Sequence, residues 1–353
     1  MAEMTNGWLQ YLAQHGAGLT ESTTPEVIGF SDNATTVGSR NGLVAPLTDL
    51  GLIAAAGEDA AHFLHNQLTN DVENLADTEA RLAGYCSPKG RLLASLLIWK
   101  SADAVMLQLP RQIQAAVQKR LQMFILRAKA TLTDATDRHA ILGLAGESAA
   151  SILTEWFKQM PDKPYAKSES AAGTLIRLAD ASGMPRYQWL THFDTARAAW
   201  PELIRTLRPV GAHAWRLTDI EAGIPQITQA TQEQFVPQMV NFEAVGGVNF
   251  RKGCYPGQEI VARSQYLGKL KRRMMPASIV ATHAHAGMEI FSSADPEQPC
   301  GMLVNAEMRA PNQVECLAEI KTTSLDQGTV HLGSANGPIL QFKPLPYPLP
   351  EPA

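Results

Sequence analysis

Between Val245 and Arg273 the chain gathers glycines, a thiol, amides, carboxylates and positive charge more closely than anywhere else. Its centre reads Arg251-Lys252-Gly253-Cys254-Tyr255-Pro256-Gly257-Gln258-Glu259, with Arg263 a turn further on. A free cysteine has a pKa of about 8.5, which falls when cations or convergent backbone N–H groups stabilise the thiolate. Arg251 and Lys252 supply the charge, and a turn bracketed by Gly253 and Gly257 can aim N–H groups at an anion. Cys254 would equally suit a tight turn as a small filler, so the stretch alone leaves both readings open. Nucleophilic catalysis would also need a base, and His213 and His283 are the nearest histidines on either side, neither placed by a motif.

Gln258 and Glu259 set an amide beside a carboxylate, a pair able to read a flat heterocycle that carries donors and acceptors. The alternative is the polar start of a helix or strand, where Arg263 would be the ion-pair partner of Glu259. Lys269, Lys271, Arg272 and Arg273 form a basic run behind Tyr266 that could hold a polycarboxylate tail or a phosphate backbone, or could be a solvated face. Trp215 could stack on an aromatic ligand or fill a core. Pro88-Lys89-Gly90-Arg91 could bind an anion or be a plain basic turn.

These residues need a scaffold, and the pattern predicts an α+β one. Residues 1–41 read as a loosely held leader with a weak helix over 8–14 and a short strand or two. A strand over 50–55 ends at Gly57. A helix opened by Glu58 and Asp59 then puts Ala60, Leu64 and Leu68 on one face and stops at Thr69-Asn70-Asp71. Strands over 81–87 and 92–99 are joined as a hairpin, and a third strand covers 104–109. Pro110 starts a helix whose Ile113, Val117, Leu121 and Phe124 share a face, and a strand over 128–133 closes this unit. A second unit over about 139–209 alternates strands with helices at 147–157 and 194–207, the latter started by Asp194 as an acidic cap. Trp215 to Glu221 reads as a helix ended by Gly223. From Met274 onward, short strands separated by Pro, Gly and Asn predict a β-barrel or sandwich, followed by an extended Pro-rich tail.

Composition narrows the classes. A chain of 353 residues predicts two or three domains, and 45% hydrophobic with 18% charged residues is ordinary for a globular protein. A net charge of −4 gives no global pull toward nucleic acid or anionic membrane. Cys86, Cys254, Cys300 and Cys316 are far apart, without the spacing of a zinc or iron–sulfur site or a disulfide framework, so no metal is expected. No run of about 18 apolar residues suggests a membrane span. A cytoplasmic protein with no signal peptide is expected.

Together the motifs are more specific than any one. Lys252-Gly253-Cys254-Tyr255-Pro256-Gly257-Gln258-Glu259 with Arg263 resembles the K-G-C-Y-x-G-Q-E-x-x-x-R signature of the YgfZ family, folate-binding relatives of the glycine-cleavage T-protein. Phe63-Leu64-His65-Asn66-Gln67-Leu68-Thr69-Asn70-Asp71-Val72 resembles that family's first helix and turn. Tyr85-Cys86-Ser87-Pro88-Lys89-Gly90-Arg91 resembles its hairpin, and Glu221-Ala222-Gly223-Ile224-Pro225 a further segment. The match runs from Leu50 to Arg273.

The resemblance implies a three-lobed aminomethyltransferase-like α+β fold with a central folate cavity and a C-terminal β-barrel. The implied domains are 30–135 plus 210–272 for folate, a small ferredoxin-like 136–209, and 273–350 for the barrel. It implies Cys254 and Lys252 as the active residues, with Gly253 and Gly257 shaping their loop. Trp215, Leu50, Tyr255, Gln258, Glu259, Arg263, Asn70 and Glu221 are the implied folate-binding residues. Leu50 stands where some relatives have a second tryptophan. The aminomethyltransferases carry an aspartate in the strand that corresponds here to Leu92-Leu93-Ala94-Ser95-Leu96, and the lack of a carboxylate at Ala94 and Ser95 counts against glycine-cleavage activity. The implied role is a monomeric tetrahydrofolate-binding protein, or one binding a folate derivative, that supports assembly or repair of iron–sulfur client enzymes, among them radical tRNA-modifying enzymes. A folate-dependent aminomethyltransferase or demethylase is the alternative. A tRNA-binding module using the basic run is a further one.

Overall fold

The computed structural model describes residues 7–31, 42–266 and 270–350. Among these, the α-helices are α1 (Gly7–Gln14), α2 (Ala60–His65), α3 (Arg111–Gln122), α4 (Glu147–Leu153), α5 (Phe193–Thr206), α6 (Ala212–Glu221) and α7 (Gln258–Tyr266). They pack on three large sheets that form three lobes.

The first sheet is antiparallel, ordered Ala80–Cys86, Leu92–Ser101, Ala104–Pro110, Leu50–Ala56, Thr131–Asp134. The Ser87–Arg91 hairpin forms as its Pro/Gly joint predicts, closed by Ser87 N–H donating to Arg91 O at 2.8 Å. Helix α3 buries Ile113, Val117 and Leu121. Phe124 does not follow them: its N–H turns to Leu121 O three residues back, which tightens the chain off the helix axis and leaves the ring 48% exposed.

The second sheet runs Lys167–Ser170, Gly173–Ala181, Met184–Thr191, Ala140–Ala145, Leu43–Pro46, Arg208–Pro209. It recruits Leu43–Pro46 from before the first sheet's strands, a long-range pairing that local pattern does not signal. Against it pack α4 and α5. The described part of the leader is anchored rather than loose, because Trp8, Leu9 and Leu12 of α1 bury their side chains and Trp8 meets Trp200 edge-on at 5.9 Å. Helix α5 is preceded by His192 as its cap residue, and Asp194 lies in its first turn.

The third sheet runs Val330–Leu332, Glu289–Ser292, Asp295–Ala310, Gln313–Lys321, Arg272–Ile279, Leu340–Phe342. A bridge between His331 and Ile339 brings its two ends together, so the sheet is a nearly closed barrel. Apolar side chains of all three lobes merge at the centre, among them Leu50 and Leu97, Ile176 and Leu178, and Val304 and Leu317. Helix α6 lies at this junction, touching both the second sheet and the barrel. Gly223 ends it with φ +67°, and Tyr347 of the tail seats its ring there and donates its hydroxyl to Gly223 O at 2.8 Å.

Candidate functional site

Two places concentrate chemistry: a cavity at the lobe junction, and the cysteine loop on a neighbouring surface. The cavity is narrow, about 80 Å³, with walls of Leu50, Leu97, Leu178, Tyr165 and Trp215 and a polar floor of Ser95, Gln108, Gln188, Arg186 and Asp219. It shares Asp219, Ile224 and Gln226 with an adjoining space of about 330 Å³ that reaches Arg216, Asp49 and Glu307. Together the two spaces fall in the range of about 300–1,000 Å³ usual for small-molecule sites.

Buried ion pairing shapes the cavity. Arg186, only 1% exposed, donates to Asp219 Oδ1 at 2.6 Å, Thr218 Oγ1 at 2.7 Å and Ala179 O at 2.8 Å. Its guanidinium also covers the Trp215 ring at 5.2 Å. Burial pushes the Asp219 carboxyl above its ordinary range, and Arg186 pulls the other way. Gln108 and Gln188 exchange amide hydrogen bonds of 2.9 and 2.6 Å across the lobe boundary. Ser95 Oγ accepts the Ile227 N–H at 2.9 Å. Trp215 and Leu50 are thus cavity walls, 3% and 5% exposed. The strand without a carboxylate does face the cavity through Ser95, yet the cavity has an acid from another element. Asp219 stands four residues after Trp215 on α6, so helical spacing sets both on one face. That spacing was the available signal, and Arg186 and the glutamines, which arrive from other strands, had none.

The cysteine loop is built by α2 and the turn after it. Thr69 Oγ1 donates to Gly247 O at 2.6 Å, and Asn70 Nδ2 donates to Leu82 O and Gly246 O, both at 2.7 Å. Asn70 therefore spends its amide on clamping the segment that leads into the loop. Lys252 Nζ then donates to His65 O and, at 2.8 Å, to Leu68 O, capping the C-terminal end of α2, and lies 5.0 Å from the Tyr255 ring centroid. Burial lowers the Lys252 pKa to about 8, against the raising charges of Asp71, Cys254 and Glu73. Tyr255 is buried, and that burial raises its hydroxyl pKa. Cys254 is exposed, whereas Cys86, Cys300 and Cys316 are buried.

Gly257 fixes the exit of the loop. Its φ is +79°, and a Cβ there would stand 2.5 Å from Gly90 Cα and Gly90 N and from Ser87 O of the hairpin. A Gly257→Ala protein is expected to lose at least about 1–2 kcal/mol from left-handed strain alone, with the backbone clash adding to it; urea unfolding measures this. Glu259 and Arg263 form the expected ion pair on α7 at 2.8 Å, with side chains 80% and 61% exposed. Such an exposed pair is worth about 0.3–0.5 kcal/mol.

Among the described residues the cavity walls include none of Tyr255, Gln258, Glu259, Arg263, Asn70 or Glu221, nor Lys252 or Cys254. Glu221 instead pairs with Arg309 of the barrel. Of the basic run, Lys269 lies outside the described residues. Arg272 is paired with Glu319, whose side chain is 1% exposed, and Arg273 with Glu243, whose side chain is 2% exposed. Two of the four charges proposed for a phosphate backbone are therefore taken by buried carboxylates of the protein itself. No group of three or more His, Cys, Asp or Glu residues among those described is arranged to hold a metal ion. No helix among them is long and apolar enough to cross a membrane.

Residues 32–249 match the family described as the GCVT N-terminal domain. The tRNA-modifying protein YgfZ of Klebsiella pneumoniae (strain 342) is 28% identical over 305 residues, covering 86% of this chain and 92% of that protein. The protein of the same name from Colwellia psychrerythraea (strain 34H / ATCC BAA-681) is 33% identical over 229 residues, covering 65% of this chain and 69% of that one. The crystal structure of glycine cleavage system aminomethyltransferase T from Bartonella henselae superposes with a TM-score of 0.73 over 95% of both chains at 15% identity, a likeness of fold.

Proposed function

The chain belongs to the YgfZ family of GCVT-domain proteins, and on that premise we propose that it binds tetrahydrofolate, or a derivative, at its lobe junction and supports iron–sulfur enzymes that modify tRNA. The observation that carries the ligand is the cavity's pairing of apolar walls at Leu50 and Trp215 with the Asp219 carboxylate. A pterin offers an amino group and a ring N–H side by side, which a carboxylate accepts as two parallel hydrogen bonds. Its flat bicycle suits the narrow space, and the rest of the folate extends into the larger one past Arg216. The tRNA part rests on the relatives' name. The thiol part rests on Cys254 being exposed on a loop that Lys252 ties to the end of α2 and that Gly257 packs closely against the hairpin.

Titrating the pure protein with tetrahydrofolate while following tryptophan fluorescence tests the ligand. Saturable one-to-one quenching is expected. Absence of binding at high micromolar ligand would remove the folate reading.

Asp219 favours one second reading, a folate-dependent aminomethyltransferase or demethylase, because it supplies the acid that the strand at Ser95 lacks. Its pairing with Arg186 works against proton donation. Methyl or methylene transfer from a folate-coupled amine by the purified protein would establish that reading instead.

A further inference from the structure

The fold sets a histidine against the cysteine loop that the sequence separates from it. His65, at the end of α2, is 8% exposed, and its Nδ1 lies 3.1 Å from Asp71 Oδ1 and 3.7 Å from Glu73 Oε2. A carboxylate only accepts hydrogen bonds, so Nδ1 carries the proton and the neutral ring presents a bare Nε2. That Nε2 stands 3.6 Å from the place a Cβ on Gly253 would take, one residue before Cys254. The same loop is tied to the same helix through Lys252 and the His65 carbonyl. Carboxylate and imidazole are therefore lined up toward the residue that precedes the thiol, as an oriented base beside a cysteine nucleophile would be, and such contacts are often loose before a substrate binds.

We propose that His65, oriented by Asp71, is the proton acceptor for Cys254 as the thiol reacts. The S–H bond breaks, the proton passes to His65 Nε2, and the electron pair stays on sulfur. The charged groups around the pair are Arg251 and Lys252 of the loop, Asp71 and Glu73 of the turn, and Arg81, which donates to Asp71 O at 2.7 Å. Lys252 Nζ donates to the His65 carbonyl, Asp71 is also held by Asn74, and Glu73 by His62 at 2.6 Å. Asp71 stays ionised well into acid: burial raises its carboxyl, but the Asn74 hydrogen bonds and the His65 and Arg81 charges outweigh that and hold it below its ordinary range. Because Cys254 is exposed and lines no wall of the cavity, its reaction partner reaches it from outside the folate space.

This assignment rests on the reading of Cys254 as the active thiol, but its test does not. The three other cysteines are buried, so iodoacetamide alkylation of the native protein reads Cys254. His65→Gln is expected to slow alkylation at pH 6.5 by about tenfold or more while leaving the rate at pH 9.5 within about twofold, because base assistance matters only where the thiol is protonated. Equal rates for both proteins at pH 6.5 would overturn the assignment. Should the variant misfold, the His65 ring-proton NMR signals of the native chain are expected to move when Cys254 is capped with methyl methanethiosulfonate, and no movement would overturn it equally. A Cys254→Ser protein that still supports tRNA modification would remove the thiol's role and leave the alkylation result standing.

Discussion

An Arg186→Leu protein is expected to lose about 3–5 kcal/mol of stability, toward the lower end, measured by urea unfolding at pH 7. Arg186 is 1% exposed and satisfies Asp219, Thr218 and Ala179 at once. Leucine would fill much of the space and leave the carboxylate beside it without its cation. The penalty is limited because 23% of the Asp219 side chain is exposed, so cavity water takes up part of the charge. The pH dependence separates this cause from simple repacking. Burial already raises the Asp219 carboxyl, and removing Arg186 takes away the main opposing charge, so the folded pKa climbs further above the unfolded one. Between those two values the folded state binds more protons than the unfolded state, so the variant gains stability relative to wild type as pH falls from 7 toward 4. A gap that stays constant over that range would assign the loss to packing. Folate affinity should fall with it, since Arg186 holds both Asp219 and the Trp215 ring.

The second large effect is functional rather than structural. Cys254→Ser is expected to give no support of tRNA thiomethylation above background in cells lacking the native protein, while unfolding within about 0.5 kcal/mol of wild type, because the side chain is exposed. A hydroxyl in the same place does not ionise near neutral pH and is a poor nucleophile without a much stronger base. Tetrahydrofolate affinity should be unchanged, since the thiol is not a wall of the cavity. Full restoration of thiomethylation by Cys254→Ser would end the thiol account.

Local pattern carried most of the elements. The apolar runs and turn residues of 80–110 and the spacing of Ile113, Val117 and Leu121 are short-range signals, and the strands and helix appear where they point. What local pattern cannot carry is which sheet a strand joins. Leu43–Pro46 pairs with Ala140–Ala145 because chain segments distant in sequence meet there. The same limit governs the site. Trp215 and Leu50 came from the family resemblance and both line the junction cavity, while the loop glycines read as a special turn from the sequence itself. Asn70, Glu259 and Arg263, named as folate contacts by resemblance, are occupied in clamping the loop and in a surface ion pair. Arg186 gains its meaning only from neighbours brought in by tertiary contact, and so do the buried partners that absorb Arg272 and Arg273, whereas Asp219 shares a helical face with Trp215 and His65 meets Asp71 within six residues.

The most direct measurement is a structure of the protein with tetrahydrofolate bound. The account predicts the pterin between Leu50, Trp215 and Asp219 with its amino edge on the carboxylate, and Cys254 Sγ out of contact with the ligand and open to solvent. A folate seated against Cys254, or on a surface away from the lobe junction, would contradict it.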